Sequence, residues 1–332
     1  MTKLPVSVAV IAAAAILNGG SAHAPDAAAP AAAVAPSGVC GGLAGNGVPR
    51  IRHVIVLIFE NRNVPEIVGN PDAPTFNRLA TDCALATSYY AVAFSSLRDY
   101  MALTGGYAWQ SLRRKARSIF EQVRSWKSYM ESMPVNCDQA SVDGVGGRYL
   151  KAHNPAVFYA RIRRECLAND VPLGDTSSGA FATDLARGML PEYSLVVPDG
   201  CNDMHGDCEP HESRRHRIRT GDAWLAQWLA VITAAPQYLD GSTIVFVTFD
   251  EGVSSPEVLD YDCFARPIEI CRVPTFVVSR YVRPGLELRG FYTHYSLLKT
   301  TEELLGVPFL GHAADPGTVS LLPELGLSRF GP

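Results

Sequence analysis

Four short, largely apolar runs constrain the fold of this 332-residue chain more than any other feature. Each run has the length of one β-strand and is bounded by polar residues. The runs cover residues 54–59, 193–197, 245–249 and 275–279. Continuous apolar runs of this length are typical of strands buried on both faces, as in parallel sheets. The pattern therefore predicts a sheet covered on both sides.

Stretches with helical spacing of apolar residues alternate with these runs. Predicted helices cover residues 75–85, 97–103, 118–126, 155–166, 221–234 and 295–305. Gly306 follows the last of them and suits a left-handed C-terminal cap. Strands that alternate with helices imply right-handed crossovers. We therefore predict an α/β fold with a mainly parallel central sheet flanked by helices, as one domain over residues 38–332 with a helical insertion.

The N-terminus has the pattern of a secretory signal peptide. Lys3 precedes an apolar run over residues 6–17, and small residues lead to Ala24. The run is shorter than the about 20 residues that span a bilayer. We predict a signal peptide over residues 1–24, an Ala/Pro linker over residues 25–37, no transmembrane segment, and a secreted or periplasmic location. The 29 Lys and Arg against 33 Asp and Glu argue against nucleic acid as a partner.

All eight cysteines follow the predicted signal peptide, so they would meet an oxidising compartment. Four disulfides are favoured over a zinc site, because no Cys-x-x-Cys is present. Closeness in the chain suggests Cys201 with Cys208 and Cys263 with Cys271, which leaves Cys40 with Cys83 and Cys137 with Cys166. Other pairings stay open at this point.

Acidic and amide side chains directly follow two of the predicted strands. Glu60 and Asn61 follow the first, and Asp250 and Glu251 follow the third. In parallel sheets the carboxyl ends of the strands meet at one edge, where function gathers. Carboxylates are costly to bury there unless a cation compensates them, and a divalent metal is one solution. The alternative is that these residues cap helices or pair with arginines.

Ser96 and several histidines are further candidates for chemistry. Ser96 lies at a predicted helix N-terminus, where N–H groups favour anions, although a serine there is often only a cap. His205 lies in a loop between two cysteines together with Asn202 and Asp203. His294 leads into the last helix, and His153 precedes Asn-Pro. Such histidines act as acids, bases or ligands, or are ordinary surface or capping residues.

The order of these features resembles one known family. The quoted segments are HVIVLIFENRN (53–63), SSLRDYMALTGG (95–106), SWKSYMESMP (125–134), KAHNPAVFY (151–159), VVPDGCNDMHGDC (196–208), TIVFVTFDEG (243–252), VPTFVVSRYVRPG (273–285) and YTHYSLLKTTEELLG (292–306). Together they resemble the phosphoesterase family of bacterial acid phosphatases and non-specific phospholipases C, within the alkaline-phosphatase-like superfamily.

The resemblance implies a role for each candidate residue. It implies one divalent metal ion, with Mg, Ca, Mn and Zn not distinguished, held by Glu60, Asn61, Ser96, Asp250 and Glu251. Ser96 would be the nucleophile, and His205 or His294 would protonate the leaving oxygen. Asn61, His153, Asn202 and Asp203 would contact the substrate.

The implied activity is metal-dependent hydrolysis of a small phosphate ester or a phospholipid head group. A phosphomonoesterase of the acid phosphatase type is favoured. A phospholipase C-like phosphodiesterase and a catalytically weakened surface or binding protein on the same fold are the alternatives. The oligomeric state is left open by the sequence.

Two positions depart from the family pattern. Family members commonly carry a histidine shortly before the serine, where this chain has Ala93 and Phe94. They often carry another before the fourth strand, where Arg272 stands here. Arg98 and Arg272 are hypothesised to contact phosphate instead, since a guanidinium matches its geometry.

Overall fold

The computed structural model describes residues 38–45, 51–108, 116–143, 148–206, 208, 212–253 and 261–327. All of these residues belong to one compact unit, Ala33–Pro332. The predicted signal peptide (1–24) and the predicted linker (25–37) both precede the described residues, so both stay predictions.

The strands form one large sheet and two small ones. The strands are β1 (His53–Phe59), β2 (Ala84–Ala86), β3 (Tyr89–Tyr90), β4 (Trp126–Met130), β5 (Val142–Asp143), β6 (Tyr149–Leu150), β7 (Asp170–Pro172), β8 (Tyr193–Val197), β9 (Thr243–Phe249), β10 (Thr275–Val278), β11 (Leu286–Leu288) and β12 (Tyr292–Thr293). The large sheet has the order β11-β2-β10-β9-β1-β8-β4-β7, while β12 pairs with β3 and β5 with β6.

The large sheet is mainly parallel, as predicted. The neighbours β9, β1, β8, β4 and β7 all run parallel to one another. Strand β10 is the exception, since it pairs antiparallel with both β9 and β2. The predicted run over residues 275–279 is therefore a strand, but it runs in the opposite direction.

Helices and short helical turns connect the strands. The α-helices are α1 (Val64–Ile67), α2 (Pro74–Asp82), α3 (Ser96–Gly105), α4 (Ile119–Gln122), α5 (Arg163–Asn169), α6 (Ala180–Ala186), α7 (Arg214–Ala234), α8 (Pro236–Leu239), α9 (His294–Leu305) and α10 (Leu322–Leu325). Turns of 3-10 helix cover Lys151–His153, Pro155–Phe158, Ala160–Ile162, Glu269–Cys271 and Gly311–Ala314. None of the described helices combines the length and apolar composition that crossing a bilayer requires.

The core is built around the central strands. Every residue of β9 is buried, and so is every residue of β8. At the end of β1 the Phe59 ring contacts Phe76 from α2, Trp224 from α7 and Phe249 from β9, with ring centroids 5.4–5.6 Å apart. These aromatic contacts lie directly before Glu60, so the residue that leaves β1 starts from a rigid position.

Three predicted helices were wrong in part. The helix predicted over residues 118–126 shrinks to α4, because residues from Trp126 onward pair with β8. The helix over residues 75–85 ends at Asp82, because residues 84–86 pair with β10. Residues 155–166 form 3-10 turns before α5, since Tyr159 has an extended backbone (φ −86°, ψ 102°) that interrupts the helix. Tertiary pairing decided the first two cases.

The four suggested disulfides are all present: Cys40–Cys83, Cys137–Cys166, Cys201–Cys208 and Cys263–Cys271. The last one closes a segment that lies against the chain preceding Ser96. In that contact Ala91 N donates to Cys271 O at 2.8 Å, and Phe264 N donates to Val92 O at 3.3 Å. This disulfide therefore supports the approach to the serine.

Glu302 in α9 carries a buried carboxyl group whose ionisation should weaken the fold. Its Oε1 accepts a hydrogen bond from Leu310 N at 2.9 Å, and Oε2 has no hydrogen-bond partner among the described residues. Burial raises the pKa of Glu302 to about 9. Because the folded-state pKa lies above the unfolded one, this group's contribution to stability is lost as pH rises from about 4.5 toward 9.

We predict that Glu302→Gln stabilises the protein at pH 8, since glutamine keeps the acceptor for Leu310 N without the charge. The free energy of unfolding should rise by on the order of 2 kcal/mol at pH 8 and change little at pH 4.5. Denaturant unfolding at both pH values measures this. Glu165→Gln, at an exposed position, is the control and should show no such pH dependence. An equal effect of Glu302→Gln at both pH values would contradict the prediction.

Candidate active site

The ends of β1 and β9 bring the predicted acidic residues together. The two strands are parallel and paired in register from His53↔Thr243 to Phe59↔Phe249. Glu60 and Asp250 therefore leave neighbouring strands at the same level, and Asp250 N donates to Phe59 O at 2.9 Å. Both side chains are fully buried. The carboxyl edge of the sheet thus holds the residues that the sequence pattern placed there.

Glu60 is the residue on which the other candidates converge. Its Oε2 accepts a hydrogen bond from Ser96 Oγ at 3.0 Å, and its Oε1 accepts one from Tyr100 OH at 2.8 Å. His153 Nδ1 lies 3.5 Å from Glu60 Oε1 and 3.7 Å from Asp203 Oδ2. Glu60 N also donates to Asp203 O at 2.8 Å. The Glu60 carboxylate therefore contacts two predicted site residues, Ser96 and His153, and the Glu60 backbone N–H contacts a third, Asp203.

Asn61 ties the two strand ends to each other. Its backbone N–H donates to Asp250 Oδ1 at 3.0 Å, and its Nδ2 donates to Glu251 Oε1 at 3.3 Å. Glu251 N donates to the same Asp250 oxygen at 2.6 Å. Asn61 has a left-handed backbone with φ 46°, which asparagine tolerates better than most residues. These bonds hold one Asp250 oxygen and leave the other for a different partner.

Negative charge is crowded at this edge. Burial raises the pKa of Glu60 well above its usual value, and the charges of Asp250 and Asp203 raise it further. Burial also raises the pKa of Glu251 to about 10, with added repulsion from Asp250 and Asp99. Such buried, mutually repelling carboxylates require a compensating cation or protons.

Several side-chain oxygens at this edge of the sheet accept no hydrogen bond from the described residues. They are Asp250 Oδ2, Glu251 Oε2 and Asn61 Oδ1. Buried acceptors without donors suit a hard divalent cation, which prefers carboxylate and amide oxygens. These oxygens are therefore suitable ligands for the predicted metal.

The carboxylates of this edge are more widely spaced than the ligands of a closed metal site. In the described parts of the chain, three Asp, Glu, His or Cys ligand atoms lie within 4.8 Å of one another only at Cys137, Cys166 and Asp170. The two sulfurs there form a disulfide, so that cluster carries no argument for a metal. The acidic and histidine side chains of this edge therefore do not form a compact ligand set by themselves. The oxygens of Ser96 and Asn61 would complete the set.

Ser96 is the first residue of α3, and Ser95 before it has the extended backbone of the cap. The Ser96 hydroxyl is therefore free of the capping role that was its alternative interpretation, and it donates to Glu60 instead. First-turn backbone N–H groups of a helix lack partners within the helix and favour anions. In α3 the N–H groups of Arg98 and Asp99 already donate to Ser95 O, at 2.8 and 3.2 Å. A phosphoryl group beside Ser96 would therefore face the N–H groups of Ser96 and Leu97.

His294 is fully buried, and both of its ring nitrogens have partners. Nδ1 lies 2.9 Å from Tyr89 OH, and Nε2 lies 2.5 Å from Asp250 O and 3.3 Å from Asp99 Oδ1. Burial raises the pKa of Asp99 to about 6, an effect that the hydrogen bond and charge of His294 oppose. These contacts fit a residue that orients the Asp250 backbone better than one that reaches a leaving group.

The loop after β8 carries the remaining predicted residues. Asp203 is fully buried, and its Oδ1 accepts a hydrogen bond from His205 N at 2.7 Å. His205 is half-buried, unlike His294. Asn202 Nδ2 donates to Glu131 Oε2 at 3.0 Å. Asn202, Asp203 and His205 therefore share one loop, and Asp203 contacts the Glu60 side of the site through His153 and its own backbone oxygen.

Four residues of this region were not predicted from the sequence. Tyr100 and Asp99 lie four and three residues after Ser96, the spacing that places helical side chains on one face, so this signal was available. Glu131 follows β4, a strand that was not predicted from the sequence, and burial together with Asp199 raises its pKa to about 7. Tyr89 gave no signal in the sequence.

The two arginines proposed to replace the family histidines differ in their contacts. The Arg272 guanidinium forms an ion pair with Glu269 and donates to Thr87 O at 3.0 Å. These partners occupy it, and they weaken the hypothesis that it binds phosphate. The charge of Arg98 lowers the pKa of Glu251, which burial has raised. The charge of Arg98 therefore acts on the acidic edge through Glu251.

The Phosphoesterase family model matches residues 70–308. The match includes Ser96, Asp203, Asp250 and His294, whereas Glu60 and Asn61 precede it. Among curated proteins, the phosphatidylinositol-3-phosphatase of Mycobacterium tuberculosis is 26% identical over 285 residues, which cover 82% of this chain and 83% of that protein.

A fungal relative is longer than this chain. The phosphate-repressible acid phosphatase of Penicillium chrysogenum is 25% identical over 251 residues, which cover 71% of this chain and 55% of that protein. The chain thus matches about half the length of the fungal enzyme.

Among solved structures, a protein of the alkaline phosphatase superfamily from Vibrio parahaemolyticus aligns with a TM-score of 0.55 and 14% identity, covering 81% of this chain and 71% of that chain. LtaP, a lipoteichoic acid synthase from Listeria monocytogenes, aligns with a TM-score of 0.51 and 12% identity, covering 85% and 76%. At such identities the likeness shows the fold alone. Because the family match spans most of the chain and the fold agrees with it, the chain belongs to the Phosphoesterase family and is a hydrolase of phosphoric esters.

Proposed function

We propose that this chain is a secreted or periplasmic, metal-dependent phosphomonoesterase that uses Ser96 as its nucleophile. The observation that carries the proposal is the hydrogen bond from Ser96 Oγ to Glu60 Oε2 at 3.0 Å, next to the buried carboxyl groups of Asp250 and Glu251. A serine hydroxyl is a weak nucleophile unless a neighbouring group removes its proton. The four disulfides support an oxidising compartment.

Glu60, Asn61, Ser96, Asp250 and Glu251 would hold one divalent cation, for which Mg, Ca, Mn and Zn are all candidates. When bound, the cation supplies Lewis acidity and offsets the negative charge of the phosphoryl group. The unpartnered oxygens of Asp250 and Glu251 are the support for this assignment. Neutralising their repulsion would also stabilise the folded edge.

The protein's own groups account for the rest of the reaction. Ser96 Oγ attacks phosphorus, its proton moves toward Glu60 Oε2, and the bond from phosphorus to the ester oxygen breaks. The N–H groups of Ser96 and Leu97 at the start of α3 bind the phosphoryl oxygens. His205 is the candidate that protonates the leaving oxygen, and water then hydrolyses the phosphoserine. Asn202, Asp203 and His153 line the substrate side.

The substrate class is a phosphate monoester. The relatives described above carry the names of phosphatases, and the one matched over most of its length acts on phosphatidylinositol 3-phosphate according to its name. A phosphorylated lipid head group and a small phosphate ester share the same phosphoryl chemistry, and both are candidates. A phospholipase C-like diesterase and a weakened binding protein are the outcomes that would replace this proposal.

Ser96→Ala is the direct test. We expect turnover of p-nitrophenyl phosphate to fall by roughly 10³-fold or more, since the attacking oxygen is lost. Acid quenching of the wild type followed by mass spectrometry should show a phosphorylated Ser96. Ser95→Ala is the matched control, because that neighbouring serine makes no side-chain cap hydrogen bond, and it should stay within a few-fold of wild type.

The same assay separates the alternatives. Hydrolysis of p-nitrophenylphosphorylcholine in preference to p-nitrophenyl phosphate would favour the diesterase. A folded wild-type protein that turns over neither ester with any common divalent metal would favour the binding protein. Undiminished turnover by Ser96→Ala would remove the serine mechanism.

The metal assignment predicts opposite effects of Glu251→Gln on stability with and without metal. In chelated protein we expect this variant to melt higher than wild type, because glutamine avoids the cost of burying the Glu251 carboxyl group, whose pKa burial and the charge of Asp250 raise to about 10. The increase should be about 1–3 kcal/mol in the free energy of unfolding. Added Mg, Ca, Mn or Zn should raise the melting temperature of wild type but not of the variant. A metal-induced shift of equal size in both proteins would contradict the assignment.

His205 and His294 should respond differently to the leaving group. With His205→Gln we expect about a 10²-fold loss of kcat on glycerol phosphate, whose alkoxide leaves poorly, and a much smaller loss on p-nitrophenyl phosphate. His294→Gln should lower both rates alike, because its ring contacts the Asp250 backbone and Tyr89. The reverse pattern would assign proton donation to His294.

A further inference from the structure

Arg62 is a buried cation next to the site that the proposed reaction does not use. Only 4% of its surface is exposed. Its Nη1 donates to Asn61 O at 2.7 Å, and its Nη2 donates to Met204 O at 2.5 Å. One guanidinium therefore joins the end of β1 to the loop that follows β8.

Both carbonyls belong to residues with unusual backbones. Asn61 has φ 46° and Met204 has φ 78°, and neither residue is a glycine. The left-handed region is unfavourable for a non-glycine residue, so it persists only where surrounding contacts hold it. Arg62 makes two such contacts at once. Each held residue also adjoins a site residue, since Glu60 precedes Asn61 and Asp203 precedes Met204.

The side-chain chemistry of arginine suits this bridge. A planar guanidinium presents several N–H donors in a rigid fork, whereas an ammonium is a point charge on a flexible stem. A direct backbone bond, Glu60 N to Asp203 O at 2.8 Å, runs parallel to the bridge. Arg62 and this bond together fix the separation between the two strand ends.

A stabilising role alone does not account for a charge at this position. Burying an ion is expensive, and apolar residues of similar volume often serve stability equally well. Burial lowers the pKa of Arg62, an effect that Glu66 and Asp203 oppose and that Arg217 and Arg214 reinforce. An apolar side chain could not donate hydrogen bonds to the two carbonyls, and this is the feature that calls for arginine.

We propose that Arg62 is a positioning residue that holds the loop carrying Asn202, Asp203 and His205 in register with Glu60 and Asn61. The inference rests on the proposed function, because the two sides that Arg62 joins are the nucleophile side and the leaving-group side of that reaction. Loss of the bridge shifts these sides relative to each other without removing a group that touches substrate. Replacing Arg62 therefore lowers the turnover number more than it changes the substrate affinity.

Arg217 offers a matched comparison. Its Nη1 donates to His205 O at 2.9 Å, so it holds the same loop. Among the described residues, Arg217 makes no hydrogen bond or ion pair to β1, although its charge acts on Arg62, and it is only half-buried. A variant of Arg217 thus tests general support of the loop, and a variant of Arg62 tests the bridge.

The experiment compares Arg62→Met, Arg62→Lys and Arg217→Met in the full domain. It measures kcat and KM for p-nitrophenyl phosphate, and amide hydrogen exchange by mass spectrometry at residues 60–61 and 202–206. We expect Arg62→Met to lower kcat by about 10–100-fold with KM nearly unchanged, and to speed exchange at Glu60. Arg62→Lys should fall between this variant and wild type. Arg217→Met should speed exchange at 205–206 but leave that of Glu60 unchanged.

Unchanged exchange at Glu60 in Arg62→Met, or equal kcat losses in the Arg62 and Arg217 variants, would overturn the proposal. If Arg62→Met does not fold, Arg62→Lys decides, because a lysine that keeps wild-type kcat and exchange shows that the fork is not needed. A wild-type protein without phosphatase activity would defeat the proposed function only. The exchange measurement would still decide whether Arg62 joins the two strand ends.

Discussion

Repulsion among buried carboxylates at the carboxyl edge of the sheet is the constraint on which the rest of the site depends. The seven-residue register between β1 and β9 makes Glu60 and Asp250 obligatory neighbours. Neither side chain can turn to solvent, because aromatic packing around Phe59 fixes the strand ends below them. The apolar core thus stabilises an arrangement that is unfavourable on its own, which is common where a protein prepares a binding site.

Three side chains near the start of α3 lie beside this charge: Ser96, Asp99 and Tyr100. Ser96 and Tyr100 donate to separate oxygens of Glu60, while Asp99 is held near His294. The spacing of these residues places them on one face of the helix. Because α3 packs against α9, the helix that begins with His294, the two helices set the nucleophile and the Asp250 backbone in one frame.

The sequence was sufficient for the parts of this architecture that follow from local pattern. The runs before Glu60 and Asp250 predicted the central strands, and parallel topology then predicted that their ends would meet. The antiparallel direction of β10 and the strand β4 could not be predicted in this way, because both depend on pairing between segments far apart in the chain. Glu131 was missed for the same reason, since its position follows only once β4 is known as a strand. Arg62 also depends on a distant carbonyl, that of Met204, whose left-handed backbone has no signature in the residue type.

The Cys263–Cys271 disulfide has a consequence for when the protein becomes active. It closes the segment that hydrogen-bonds the chain at Ala91 and Val92, immediately before the cap of α3. A newly made chain with both thiols reduced lacks this covalent support, and the position of Ser96 then rests on noncovalent contacts alone. If the chain is exported as proposed, oxidation would act as a maturation step, through which a phosphoric ester hydrolase stays poorly assembled among the cell's own phosphate esters and is completed after export.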